Sequence, residues 1–163
     1  MQPPKRGLAG VRKIMENRQR RCEQWQAEAR VLWGRWRGDP LFLLGVGLYW
    51  GEGQKCRRSA SLALSNADPQ LLQVWLRWYQ RFLPGVPLYS VLHIHDGGDV
   101  RAARLFWERQ LGIVVNAVAV AVSSASKRKR RTLPNGTLKV RVGRGGLEWY
   151  TKMLVWLDLA QQL

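Results

Sequence analysis

Acid is what this chain has least of. Against 27 lysines and arginines stand 11 aspartates and glutamates, a formal charge of +16 with a pI of about 11.2 over 163 residues. Such an excess repels itself in a compact state and is best tolerated when the partner is a polyanion. Cysteine is almost missing: Cys22 and Cys56 match neither a zinc nor a disulfide spacing and read as structural thiols in a reducing cytosol. No apolar run approaches the roughly 18 residues of a membrane span, and the basic N-terminus lacks the apolar stretch of a signal peptide. A cytoplasmic protein is expected, nucleoid-associated in a bacterium. Also lacking are a P-loop, a G-x-S-x-G elbow and a dinucleotide fingerprint, so nucleotide hydrolysis and serine chemistry have no support.

The remainder suits a folded chain: 46% of residues are hydrophobic and nine are tryptophan. Residues 1–38 read as a basic arm, irregular to about Arg18, followed by a helix over 19–36 anchored by Trp25, Leu32 and Trp36. Residues 39–163 read as the functional domain. Three aspartates, Asp39, Asp68 and Asp99, each precede an apolar-periodic run, twice with proline next, as helix N-caps do. Helices are therefore expected over 40–51, 69–83 and 100–111, with a last one over 147–161. Trp75, Trp78, Trp107 and Trp156 recur at helical spacing and are read as core.

Between the helices lie runs with period two. Leu88, Leu92 and Ile94 fall on one side of a strand, and Tyr89, His93 and His95 on the other. Residues 59–65 form another. Residues 114–123 and 137–142 flank the basic, turn-forming "SKRKRRTLPNG" and read as one long hairpin. In its second strand Leu138, Val140 and Val142 point one way while Lys139 and Arg141 point the other. An α+β fold follows, with one apolar sheet face for helices and one cationic face left open. Lys139 and Arg141 are placed to reach base edges, where arginine prefers guanine. Lys127, Arg128, Lys129, Arg130 and Arg131 are placed to touch phosphates, or else form a solvated loop. His93 and His95, with Asp96 adjacent, are candidates for a metal site or a general base but fall short of a full zinc ligand set, and such residues more often touch DNA or bond within the sheet.

Sorting the acids leaves one unexplained. The capping aspartates have their role; Glu16, Glu23 and Glu28 belong to the first arm and helix; Glu108, Glu148 and Asp158 read as ordinary solvated charges. Glu52 ends "GVGLYWGEG", where a carboxylate faces the negative end of the helix dipole at a cost of about 0.3–1 kcal/mol. Interior glycines in that helix each cost about 1 kcal/mol against alanine. Gly47 and Gly51, four apart with Gly45 near, would let a second helix approach closely, and two paired copies would bring two Glu52 carboxylates to one divalent cation. The alternative is a Gly-rich C-cap with an incidental surface glutamate.

The stretch from Gly45 to Gly53 resembles the LAGLIDADG motif of homing endonucleases: Gly47, Leu48 and Gly53 match, Gly51 replaces a small alanine, and Glu52 stands at the metal-binding acid. "SLALSNADPQLLQVWLRW" and "GTLKVRV" followed by "LEWYTKMLVWLDLAQQL" are similar to later segments of that family, so the resemblance covers about 39–163. It departs where Trp50 replaces an acid, where "QKCRRSA" is short, and where residues 88–111 form an extra αβ unit. The resemblance implies an αββαββα saddle with a mixed or antiparallel sheet in the DNA major groove. It implies a homodimer joined along the motif helix, here by Leu44, Gly47, Leu48 and Gly51. It implies Mg²⁺ or Mn²⁺ at Glu52 for phosphodiester hydrolysis, with Lys139 supporting the transition state. Lys55 is a second candidate for that role and, with Arg57 and Arg58, a DNA contact. Relatives of the family also include non-cutting transcription regulators and RNA-splicing maturases, so a binding-only protein is the competing expectation.

Overall fold

The first helix is longer than its buried positions require. In the computed structural model, which describes residues 8–55, 60–121 and 133–163, α1 (Leu8–Trp36) runs unbroken for 29 residues. The expectation of an irregular arm to Arg18 is thus corrected. The exposed half is helical because side chains one turn apart support each other: Arg12–Glu16 at 3.0 Å, Gln19–Glu23 at 3.0 Å and Gln24–Glu28 at 2.9 Å. Only the second half is anchored. Ala29 and Trp33 are buried, and the Trp156 indole N–H donates to Ala29 O at 2.9 Å.

The aspartates cap as expected. Asp39 accepts from Leu41 N at 2.9 Å and opens α2 (Pro40–Glu52). Beyond β1 (Ala63–Asn66), Asp68 accepts from Gln70 N at 2.8 Å and opens α3 (Pro69–Phe82). Strand β2 (Leu88–His95) leads to Asp99, which accepts from Ala102 N at 2.9 Å and opens α4 (Val100–Leu111). Strands β3 (Ala117–Ala121) and β4 (Thr137–Val142) and helix α5 (Gly146–Ala160) complete the α+β fold.

The sheet order is β1-β4-β2-β3. β4 is antiparallel to both β1 and β2, whereas β3 is parallel to β2. The expected β3–β4 hairpin is therefore wrong: β2 lies between the two strands. The α4 crossover explains it, since a strand returning after a helix enters parallel. Ser90 then locks the register. Its N–H donates to Asn116 Oδ1 at 2.8 Å and its hydroxyl to Val114 O at 2.8 Å, which pins the start of β3 to β2. From α2 onward the order is αβαβαββα. Of a strand before β1 there is, among the described residues, only the antiparallel Gly53–Leu64 bridge and the bond from Gln54 N to Ala63 O at 2.9 Å.

One continuous core lies under one face of the sheet. Leu62, Leu64, Leu92, Ile94, Leu138, Val140 and Val142 meet Trp75, Trp78, Trp107 and Trp156, all of them buried. The rings interlock: Trp75 and Trp78 stack at 4.7 Å, and Phe42 meets Trp156 edge-on at 5.1 Å. No helix among the described residues is long and apolar enough to cross a membrane.

Candidate nucleic-acid interface

Residues paired directly across neighbouring strands share a face, so the register gives the open surface row by row. The first row is Arg141 and Tyr89, flanked on β1 by Ala63, which is itself covered. The second is Ser65, Lys139, Val91 and Ala117. The third is Thr137, His93 and Ala119, and His95 and Ala121 end it. None of the four strands contains an aspartate or glutamate. The face thus carries two cations from the strands, Lys139 and Arg141, both on β4, and no acid from any of them. Sequence periodicity had placed Tyr89, His93, His95, Lys139 and Arg141 together, and the register does bring them onto one face. Ser65 and Thr137 were missed; Thr137 was legible as the residue two before Lys139, whereas Ser65 needed the β1–β4 pairing.

The Arg141 guanidinium lies 4.6 Å from the centre of the Tyr89 ring. Stacking occupies its flat side and leaves the N–H fork free for a planar acceptor pair. At the far end of the face a hollow of about 310 Å³ is lined by His93, His95, Thr137, Ala121 and Leu133 among others. Its wall is rigid. The Trp107 indole donates to Asn135 O at 2.7 Å, and Gly136, at φ 61°, packs so closely on His93 O that a Cβ there would collide with it.

Glu52 is exposed at the C-terminal end of α2. The bridge from Gly53 to Leu64 sets this end of α2 against β1, whose next residue, Ser65, is the direct partner of Lys139. The helix end is otherwise satisfied. Gly53 N donates to Tyr49 O at 2.8 Å, the Lys55 ammonium donates to Trp50 O, and the Tyr150 hydroxyl donates to Lys55 O at 3.1 Å. Burial pushes the Tyr49 phenol well up, with Tyr150 adding to it, so it keeps its proton and donates to Gln54 O at 2.6 Å. Among the described residues no three His, Cys, Asp or Glu side chains converge on a metal-sized site. Among the described residues Glu52 thus joins no ligand cluster, and a cation there would need donors beyond it.

The glycines of α2 divide into two kinds. Gly45 is buried, and a Cβ on it would strike the Trp78 indole, so its small size serves packing within the chain. Gly47 and Gly51 are exposed, with nothing within 4 Å of a Cβ. They share an outward stripe with Leu44, 50% exposed, and half-buried Leu48; Trp50 beside it is 47% exposed.

Two acids read as ordinary solvated charges are not. Glu108 accepts from Val115 N at 3.1 Å and pairs with Arg104 at 3.1 Å, contacts that hold its carboxyl below the usual range. Glu148 pairs at 2.6 Å with Lys152, which is only 5% exposed and also meets Glu28 at 2.8 Å. Lys152 thereby ties α5 to α1. Arg57, Arg58 and Lys127 to Arg131 lie outside the described residues. No protein-family model, curated protein or solved structure matches this chain.

Proposed function

We propose that this chain is a sequence-specific double-stranded DNA-binding protein that reads its site with the open face of the sheet. The acid-free, cation-bearing face on a chain of net charge +16 carries this reading. Lysine and arginine there exchange condensed counterions for phosphate contacts, and Arg141, already oriented by Tyr89, suits guanine O6 and N7. A duplex is favoured over single strands because, among the described residues, the one Phe, Tyr or Trp ring on the face, Tyr89, is covered by Arg141, which leaves the two imidazoles alone for unpaired bases to stack on. Fluorescence anisotropy with a labelled duplex library tests it: duplex retention that structured RNA does not compete away supports DNA. Preferential retention of RNA would replace it with a maturase-like reading.

The LAGLIDADG-like resemblance extends the proposal to a homodimer joined along α2. A second copy suits the outer stripe, which has no charge before Glu52 and two glycines open to close approach. Two Glu52 carboxylates at the shared helix end would hold Mg²⁺ or Mn²⁺, which supplies Lewis-acid activation for phosphodiester hydrolysis. Lys139, beside that end of the sheet, would stabilise developing phosphate charge. Against the nuclease stands a binding-only regulator, favoured by the single carboxylate that each chain presents. Metal-dependent cleavage of the duplex library by wild type, lost in Glu52→Gln with DNA affinity intact, supports the nuclease. Binding without cleavage supports the regulator.

A further inference from the structure

The hollow at the end of the open face is lined by two imidazoles that no other described residue engages. His93 and His95 lie two residues apart on one side of β2, roughly 6.6 Å by strand rise. Their direct neighbours are Thr137, Ala119 and Ala121, all short, so no bulky side chain holds the rings apart. Among the described residues neither ring has a hydrogen-bond or ion-pair partner. The backbone beneath them is fixed by three-stranded pairing and by the Gly136 turn against His93 O. We propose that His93 and His95 chelate a zinc-class divalent ion, at a site separate from Glu52.

Imidazole nitrogens suit Zn²⁺, Co²⁺, Ni²⁺ or Cu²⁺ and not Mg²⁺, which demands oxygen donors. Two protein ligands at about 2.0–2.1 Å leave two tetrahedral positions for water or an anion, the open arrangement of an exchangeable ion. The Thr137 hydroxyl, directly across from His93, is placed to hydrogen-bond a ligand in one of them. Among the described residues no carboxylate lines the hollow; Asp96 follows His95 in the turn, where its backbone N–H donates to Ala121 O at 3.1 Å. With so much positive charge around it, the ion favours an anion in its open positions, so added inorganic phosphate should tighten binding.

The test uses full-length untagged protein with excess Mg²⁺ and no DNA, so it stands or falls separately from the DNA-binding proposal. Zn²⁺ is titrated calorimetrically and Co²⁺ by visible absorption, in wild type, His93→Ala, His95→Ala, Glu52→Gln and Cys22→Ser. Expected are one equivalent bound by wild type, at least tenfold weaker binding in each histidine variant, and no change in the other two. Thermal melts check that the histidine variants, altered only on the open face, remain folded. Absence of a binding isotherm in wild type overturns the proposal. So does wild-type affinity in folded histidine variants, or loss of the site in Glu52→Gln or Cys22→Ser.

Discussion

Two glycines of α2, two residues apart, should respond oppositely to the same methyl group. Replacing either with alanine removes a glycine from a helix interior, a gain of about 1 kcal/mol. At Gly47 that gain stands alone, because nothing lies within 4 Å of the new Cβ. At Gly45 the methyl meets Trp78, which cannot yield: its ring stacks on Trp75 at 4.7 Å and its N–H donates to Phe42 O at 3.2 Å. Overpacking of this kind costs about 1–3 kcal/mol. The propensity gain is common to both variants, so at concentrations where the chain is monomeric their difference isolates the steric cost. At roughly 2–4 °C per kcal/mol for a domain of this size, Gly45→Ala should melt about 2–12 °C below Gly47→Ala. Differential scanning calorimetry across a hundredfold range of protein concentration reads this difference and the oligomeric state together. In an α2-paired dimer the wild-type Tm rises with concentration, and the Gly47 methyl, lying in the seam, blunts that rise. Equal melting of the two variants would refute the packing of α2 on α3. A concentration-independent wild-type Tm, with a monomer mass by light scattering, would remove the paired-carboxylate proposal.

The open face makes separable predictions. Lys139→Ala should weaken duplex binding across sequences and reduce the slope of log affinity against log salt by about 0.9, one phosphate's share. Arg141→Ala should instead relax specificity at one base pair by about 1–3 kcal/mol, read by comparing single-mismatch duplexes. Tyr89→Leu should reproduce part of that effect, because it removes the ring that orients the guanidinium. For acid stability the sign follows from Glu28, held below the ordinary carboxyl value of 4.5 by Lys152 first and Gln24 second. A carboxyl lowered on folding contributes stability above 4.5 that is lost as pH falls through its folded value. Urea midpoints should therefore decline below about pH 4.5, and less steeply in Glu28→Gln.

Much of this architecture was legible because single residues announce it. An aspartate before an apolar run, with proline next in two of three cases, located α2, α3 and α4 to within a residue of their observed bounds. Period-two alternation gave β2 and β4 with their facing, since strand geometry leaves no freedom in which side chain points where. Whatever depends on pairing was not legible. Gly45 and Gly47 look alike in the sequence, yet one is filled by Trp78 and the other is open. Lys152 sits on a helix like any solvated lysine, and only the approach of α1 buries it between two glutamates and over the Trp149 ring. The start of α1 was misjudged because its outer half buries almost nothing; local side-chain pairs sustain it where an apolar stripe would ordinarily be sought.

The misread hairpin matters most for function. Had β3 and β4 been neighbours, the basic stretch Lys127 to Arg131 would cap a two-stranded finger projecting from the domain. Because β2 separates them, the chain leaves β3 at Ala121 and returns at Leu133, on either side of the end of β2, and both residues line the His93–His95 hollow. The same topology moves Lys139 and Arg141 from an outer strand to an inner one, with β1 and β2 on either side. An inner strand has its backbone groups paired on both edges, so its outward side chains are held more rigidly than a hairpin tip could hold them. For the proposed DNA-binding face, such inner positions would hold Arg141 against a base edge and Lys139 against a phosphate more firmly than a hairpin tip would.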